Sequence, residues 1–120
     1  MRPEGWHCVT PRIITGDVPG LVAFMQFVFD ATGVVEIHRP TVMRIGDSVV
    51  MISTAGPRSA MGAFLYVYVD DADETYRRAV RANATSLEAP VDTPYGDRRA
   101  MVADGWGNVW QIATFRQPST

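Results

Sequence analysis

The sequence contains little that would serve a disulfide, a membrane span or a secretion signal. Among its 120 residues Cys8 is the only cysteine, which excludes an intrachain disulfide and fits a reducing compartment. No apolar run approaches the length needed to cross a bilayer, and the first five residues lack the apolar core of a signal peptide. We therefore expect a cytoplasmic protein with no membrane partner.

An excess of positive charge is also missing. The sequence has 13 acidic and 11 basic residues, which gives a formal net charge of −2. A nucleic-acid-binding protein usually presents a basic stripe. Here Arg77, Arg78 and Arg81 stand close to four acidic residues between positions 70 and 74. Nucleic acid is therefore not an expected partner.

Histidine, the side chain that titrates near neutral pH, occurs twice. Neither His7 nor His38 lies in a recognisable catalytic or metal-binding pattern. Cys8 follows His7 directly, but neighbouring residues on a strand point to opposite faces, so the two are not expected to act as a nucleophile and its base. We interpret Cys8 as an inert thiol.

What the sequence does contain is an internal repeat. Residues 49–54, VVMIST, match residues 109–114, VWQIAT, at Val, Ile and Thr in the same order. A period of roughly 55 to 60 residues is typical of one supersecondary unit used twice. We predict a single domain, residues 1–120, with a first module at about 8–54, a linker at about 55–62 and a second module at about 63–115.

Each module is predicted to combine strands with one helix. The first is expected to contain a strand at 9–15, a helix with Asp17 as its N-cap, and short strands at 34–38, 41–45 and 48–53. The second is expected to contain a strand at 64–69, a helix that begins with acidic residues, a loop at 88–96, and strands at 98–103 and 108–114. Residues 117–120 are expected to form a loose tail.

The order βαβββ, used twice, predicts an α+β fold. Small antiparallel sheets with a helix on one face curl, so we expect a cupped, mostly antiparallel sheet with the helices outside and a hollow inside. The first strand of the second module alternates aromatic and aliphatic residues, which places Phe64, Tyr66 and Tyr68 on one face. An aromatic face that bears hydroxyl groups suits a small-molecule cavity.

Two motifs resemble those of a known family. Residues 93–99, TPYGDRR, and 104–111, DGWGNVWQ, together with this strand order, resemble the glyoxalase/bleomycin-resistance/dioxygenase family, also called the vicinal-oxygen-chelate superfamily. The resemblance covers about residues 8–115 and implies a homodimer. Members usually have Asp-Pro at the closing turn, whereas this chain has Gly105, which should loosen the turn without changing the fold.

The resemblance also implies where a metal would be held. Metal-containing members use one position on the first and one on the last strand of each module, usually filled by His, Glu or Gln. Placed by the repeat, these positions fall on Thr10, Met51, Phe64 and Gln111. A hydroxyl, a thioether and an amide are weak donors for divalent metals, and an aromatic ring offers none. We therefore expect no metal and no other cofactor.

Ligand contacts are expected on the inner face of the sheet. Besides the four positions above, the candidates are Tyr66, Tyr68, Arg44 and Arg99. The tyrosines either stack on a ligand or fill the hollow, and Gln111 bonds either a ligand or a nearby backbone group. An inward arginine would favour an anionic ligand, whereas an arginine at a strand edge would be solvated. The tryptophans near the last hairpin, Trp106 and Trp110, are expected to pack in the core.

These observations predict a metal-independent protein that binds or sequesters a small molecule, such as a natural product or an antibiotic. The alternative is a metal-free isomerase, lyase or cyclase of the same superfamily, in which a tyrosine or histidine transfers a proton. A third possibility is that the hollow is filled by the chain's own side chains and that the domain acts through its dimer surface.

Overall fold

The computed structural model of the chain describes residues 1–116, and the chain divides between Ala63 and Phe64 into two compact units. The first unit contains β1 (Arg12–Thr15), α1 (Val18–Phe29), β2 (Thr41–Ile45) and β3 (Ser48–Thr54). The second contains β4 (Phe64–Tyr68), α2 (Ala72–Arg81), β5 (Thr85–Asp92), β6 (Asp97–Ala103) and β7 (Val109–Phe115). The tail predicted at residues 117–120 lies outside the described residues.

Both units pair their strands in the same way. In each, the first strand lies parallel to the last, and the last lies antiparallel to the strand that precedes it in sequence. The sheets have the orders β1-β3-β2 and β4-β7-β6-β5. The predicted α+β class with mainly antiparallel sheets is therefore confirmed.

Both helices have an aspartate N-cap and a residue in a left-handed conformation just after their last turn. The side chain of Asp17 accepts a hydrogen bond from the Gly20 backbone N–H at 3.0 Å, and that of Asp71 accepts one from Glu74 at 3.1 Å. At the other ends, Asp30 and Asn83 adopt left-handed conformations with φ of 54° and 72°. Short Asx side chains tolerate this conformation better than other non-glycine residues do.

In the second unit, α2 covers one face of the four-stranded sheet. On β6 and β7 the residues facing it, Ala100, Val102, Trp110 and Ile112, are fully buried. Arg98, on the same face of β6, donates hydrogen bonds to the α2 residue Asp73. Among residues 64–116, no helix covers the opposite face.

The β6–β7 hairpin is organised by Asp104. Its carboxylate accepts hydrogen bonds from the backbone N–H groups of Trp106 and Asn108, from the Asn108 side chain, and from Nε1 of Trp110, all between 2.8 and 3.0 Å. Gly107 completes the turn with a φ of +88°. The prediction that Trp110 packs in the core is confirmed, whereas Trp106 is half-buried.

Two predicted segments differ from the structure. Residues 34–38 form no strand, and Val34 and Ile37 are 77% and 86% exposed, because these apolar residues find no partner strand. Conversely, residues 88–92, predicted as loop, belong to β5. This strand lies at the sheet edge and is interrupted by two register shifts, which accommodate Pro90.

Among residues 1–116, no helix is long and apolar enough to span a bilayer.

Candidate functional site

The second unit presents a group of aromatic and polar side chains on the sheet face opposite α2. We call this the helix-free face. The strand registers place Tyr66 opposite Gln111, and Gln111 opposite Met101. Because side chains alternate along strands, the face is formed by Phe64, Tyr66, Tyr68, Asp97, Arg99, Met101 and Gln111.

The three aromatic residues of β4 remain accessible on this face. Phe64 is 64% exposed, Tyr66 37% and Tyr68 60%. The two tyrosine rings contact each other edge to face, with centroids 5.4 Å apart and an interplanar angle of 62°. The alternation seen in the sequence thus produces a row of accessible rings.

A buried carboxylate holds the two tyrosines. Oδ2 of Asp97 accepts a hydrogen bond from the Tyr66 hydroxyl at 2.6 Å and another from the Tyr68 hydroxyl at 2.9 Å. Asp97 itself is 2% exposed. Its backbone N–H donates to Oγ1 of Thr93 at 2.9 Å, and that hydroxyl donates to the Asp97 carbonyl at 3.0 Å. The turn before β6 therefore fixes the carboxylate, and the carboxylate fixes the rings.

The network continues to the edge strand. The Tyr66 hydroxyl lies 3.4 Å from that of Tyr95, which accepts a hydrogen bond from Nη1 of Arg99 at 2.8 Å. Arg99 also donates from Nε and Nη2 to both carboxylate oxygens of Glu88, at 2.9 and 3.1 Å. This two-point ion pair occupies the guanidinium with an internal partner.

These contacts determine which groups keep their protons. Burial and the hydrogen bond to Asp97 raise the pKa of Tyr66 well above its usual range, and the hydrogen bond to Asp97 raises the pKa of Tyr68. The ion pair with Glu88 raises the pKa of Arg99. At neutral pH both tyrosines are therefore protonated hydrogen-bond donors, and Arg99 is a cation.

A shallow depression of about 380 Å³ adjoins this network at the carboxyl ends of β4 and β7. It is lined by Tyr68, Val69, Asp70, Thr114 and Phe115. The Thr114 hydroxyl is held by internal bonds to the backbone of Ala72 and Val69. The most exposed residues of the depression are Tyr68, Asp70 and Phe115.

The structure divides the predicted ligand residues between the two units. Phe64, Tyr66, Tyr68, Arg99 and Gln111 share the helix-free face of the second unit. The other three, Thr10, Arg44 and Met51, belong to the first unit and are half-buried.

Their surroundings in the first unit are as follows. Thr10 precedes β1 rather than lying on it. Met51 is paired with Arg12, and Nη1 of Arg44 donates to the Gly5 carbonyl at 3.4 Å. Both histidines also lie in this unit and are exposed, as is Cys8, whose Sγ accepts a hydrogen bond from Arg2 at 3.3 Å.

A comparison with protein families identifies the fold. The model of the Glyoxalase/Bleomycin resistance protein/Dioxygenase superfamily matches residues 7–112. The chain belongs to this superfamily.

Individual relatives are distant. An uncharacterised protein of Mycobacterium bovis is 25% identical, with 87% of this chain and 80% of that protein covered. The crystal structure of TioX from Micromonospora has a TM-score of 0.74 at 20% identity, covering 89% of this chain and 97% of that one. The fosfomycin resistance protein FosX of Mesorhizobium loti has a TM-score of 0.68 at 22% identity, covering 92% and 93%. At these identities the structural matches establish the fold alone.

The residues that the resemblance assigns to the family's metal positions do not fit a divalent cation. Thr10, Met51, Phe64 and Gln111 supply no imidazole and no carboxylate, and the Phe64 ring supplies no donor atom. Within residues 1–116, no three His, Cys, Asp or Glu side chains are grouped as metal ligands.

Besides Thr93, three members of the network were not predicted as site residues from the sequence: Glu88, Tyr95 and Asp97. Alternation along β6 offered a signal, since Asp97 lies two residues before Arg99 and so shares its face. The sequence predicts a loop at Glu88 because the bulges of β5 hide its strand pattern. Tyr95 lies on a turn, where periodicity gives no information about side-chain direction.

Proposed function

We propose that this chain binds a small organic molecule, of the natural-product or antibiotic kind, on its helix-free face and without a metal ion. The observation that carries the proposal is the row of three accessible aromatic side chains on β4. Apolar and aromatic surface with a few fixed polar groups is typical of small-molecule sites. Phe64, Tyr66 and Tyr68 would contact the ligand, and Gln111, opposite Tyr66, would orient it by a hydrogen bond.

The hydrogen bonds to Asp97 support a binding role. They hold both tyrosine rings in place before any ligand arrives. Side chains that are already ordered lose less conformational entropy on binding, so each contact contributes more to affinity.

The alternative of a tyrosine-dependent enzyme receives less support. A tyrosine that acts as a base must first lose its proton, and the raised pKa of Tyr66 and of Tyr68 opposes that loss. Both hydroxyls also direct their protons to Asp97 rather than outward.

The name of the structural neighbour FosX, a fosfomycin resistance protein, agrees with an antibiotic-like ligand.

Binding is tested with a panel of planar aromatic compounds and the variant Phe64→Ala. We expect one or more compounds to raise the melting temperature of the wild-type chain. Loss of the Phe64 ring should raise the dissociation constant of that compound about tenfold, because an aromatic contact is removed.

The matched control is Phe27→Ala, which removes a ring that is 50% exposed on α1. The dissociation constant of the same compound for this variant should stay within about twofold of the wild-type value. The proposal fails if no compound changes the melting temperature, or if the two variants lose affinity equally.

A further inference from the structure

The charge balance around Asp97 differs from that of three acidic groups nearby in the second unit. Asp73, Asp92 and Glu88 are each ion-paired with an arginine. Asp97 is more deeply buried than these, at 2% exposed, yet no ion pair among residues 1–116 includes it. Its two side-chain partners, Tyr66 and Tyr68, are neutral donors.

A carboxylate in this position is incompletely compensated. Both tyrosines use Oδ2, and among the described residues no hydrogen bond reaches Oδ1. Buried charges in proteins are normally paired with an opposite charge, because their removal from water is costly. Because Oδ1 is not among the fully buried atoms that lack a hydrogen-bond partner, it is reachable from solvent, and a positive charge placed there would compensate the carboxylate.

The nearest arginine of the network does not supply it. Arg99 lies on the same face, but its guanidinium is bonded to Glu88 and Tyr95. The sequence-based expectation that an inward arginine would favour an anionic ligand therefore loses its basis at Arg99, since the charge is already neutralised.

The surroundings of Asp97 add further attraction for a cation. Tyr66 and Tyr68 present accessible rings, whose faces attract positive charge. In the adjoining depression, the exposed carboxylate of Asp70 lies with the rings of Tyr68 and Phe115. The residues from 64 to 116 include eight acidic side chains and six arginines, so the field of this unit also favours a cation.

We infer that the ligand of the helix-free face carries a positive charge, as an ammonium or guanidinium group attached to an aromatic or apolar body. The cation lies against Tyr66 and Tyr68 and is attracted by Asp97 and Asp70. This inference rests on the proposed function, because it specifies the charge of the molecule bound there.

Three indole compounds of similar size separate charge from aromatic contact: tryptamine, a cation; tryptophol, which is neutral; and indole-3-acetate, an anion. Their dissociation constants are measured by NMR titration of the isotope-labelled full chain. We expect tryptamine to bind about tenfold more tightly than tryptophol, and indole-3-acetate to bind most weakly.

The variant Asp97→Asn keeps the side-chain shape and removes the charge. It should reduce the preference for tryptamine over tryptophol, taken as the ratio of the two dissociation constants measured on this same variant, to less than about threefold. The matched control Asp47→Asn, in the exposed β2–β3 turn, should keep the full preference. If Asp97→Asn does not fold, the variant Asp70→Asn is used instead. We expect it to lower the affinity for tryptamine alone by about threefold. An unchanged preference for tryptamine over tryptophol in this variant overturns the inference.

The outcomes distinguish the inference from the proposed function. Equal binding of tryptamine and tryptophol, or tighter binding of indole-3-acetate, overturns the cationic ligand and leaves the aromatic site standing. Failure of all three compounds to bind overturns the cationic ligand, and failure of the whole aromatic panel as well overturns the proposed function. A dimer in sedimentation that dissociates in Asp97→Asn, together with no binding of any probe, would instead assign the positive charge to an arginine of a second copy of the chain.

Discussion

At the scale of single residues, Asp97 fixes two of the aromatic side chains of the helix-free face. It lies at the first position of β6, where the turn from Thr93 fixes its backbone. From there one carboxylate oxygen orders two tyrosines of a strand that is about 30 residues away in sequence. The rings are therefore available for contact, while their hydroxyl protons are not available for transfer.

The raised pKa of Tyr66 predicts a loss of stability in base. Because the folded-state pKa lies above the value of about 10 for an unfolded tyrosine, the folded chain binds the phenolic proton more tightly. This stabilisation is complete below about pH 10 and is lost as the pH rises through the folded-state pKa. Urea denaturation at pH 8 to 11 should show a falling free energy of unfolding. If the free energy of unfolding of Tyr66→Phe falls with pH as steeply as that of the wild-type chain, this hydroxyl is not responsible.

At the scale of elements, the sequence pattern predicted the features that depend on neighbouring residues alone. The alternation of residues 64–68 gave the correct strand and face, and Asp17 gave the correct helix start. The segment 34–38 was predicted wrongly because its apolar residues lack a partner strand, which periodicity does not reveal. The Asp97 network was missed because it depends on the β4–β7–β6 register, which is set by pairing between distant segments.

The β6–β7 hairpin yields a prediction at this scale. In Asp104→Asn, an amide NH2 group replaces one of the two acceptor oxygens. This NH2 group faces the N–H donors of Asn108 and Trp110. Buried donors that face each other lose their hydrogen bonds, so we expect the free energy of unfolding to fall by about 3 kcal/mol. Chemical denaturation measures it. A change below about 0.5 kcal/mol, the range usual for surface substitutions, would mean that Asp104 does not organise the turn.

At the scale of the whole molecule, the two units share the pairing of their first, last and penultimate strands but differ in charge. The first 63 residues contain five acidic residues and five arginines, whereas the excess of acid lies entirely in the second unit. The repeat therefore predicted the fold of the superfamily, but not which half would carry the network around Asp97. Fold follows from the shared apolar pattern, and the site follows from substitutions that differ between the copies.

The side chains at the family's metal positions predict weak metal binding by the chain as a whole. After equilibration with zinc, manganese or nickel and removal of unbound ions, elemental analysis should find well below one ion per chain, because these positions offer no strong donors. One tightly held ion per chain would contradict this prediction.

The central claim, that the helix-free face binds an aromatic small molecule, is tested most directly by mapping a bound compound. Backbone and aromatic NMR shifts of the wild-type chain are followed while the compound that most raises the melting temperature is added. The account predicts saturable shifts at Phe64, Tyr66, Tyr68 and Gln111. Saturable shifts confined to the exposed surfaces of α1 and α2, with β4 and β7 unaffected, would contradict it.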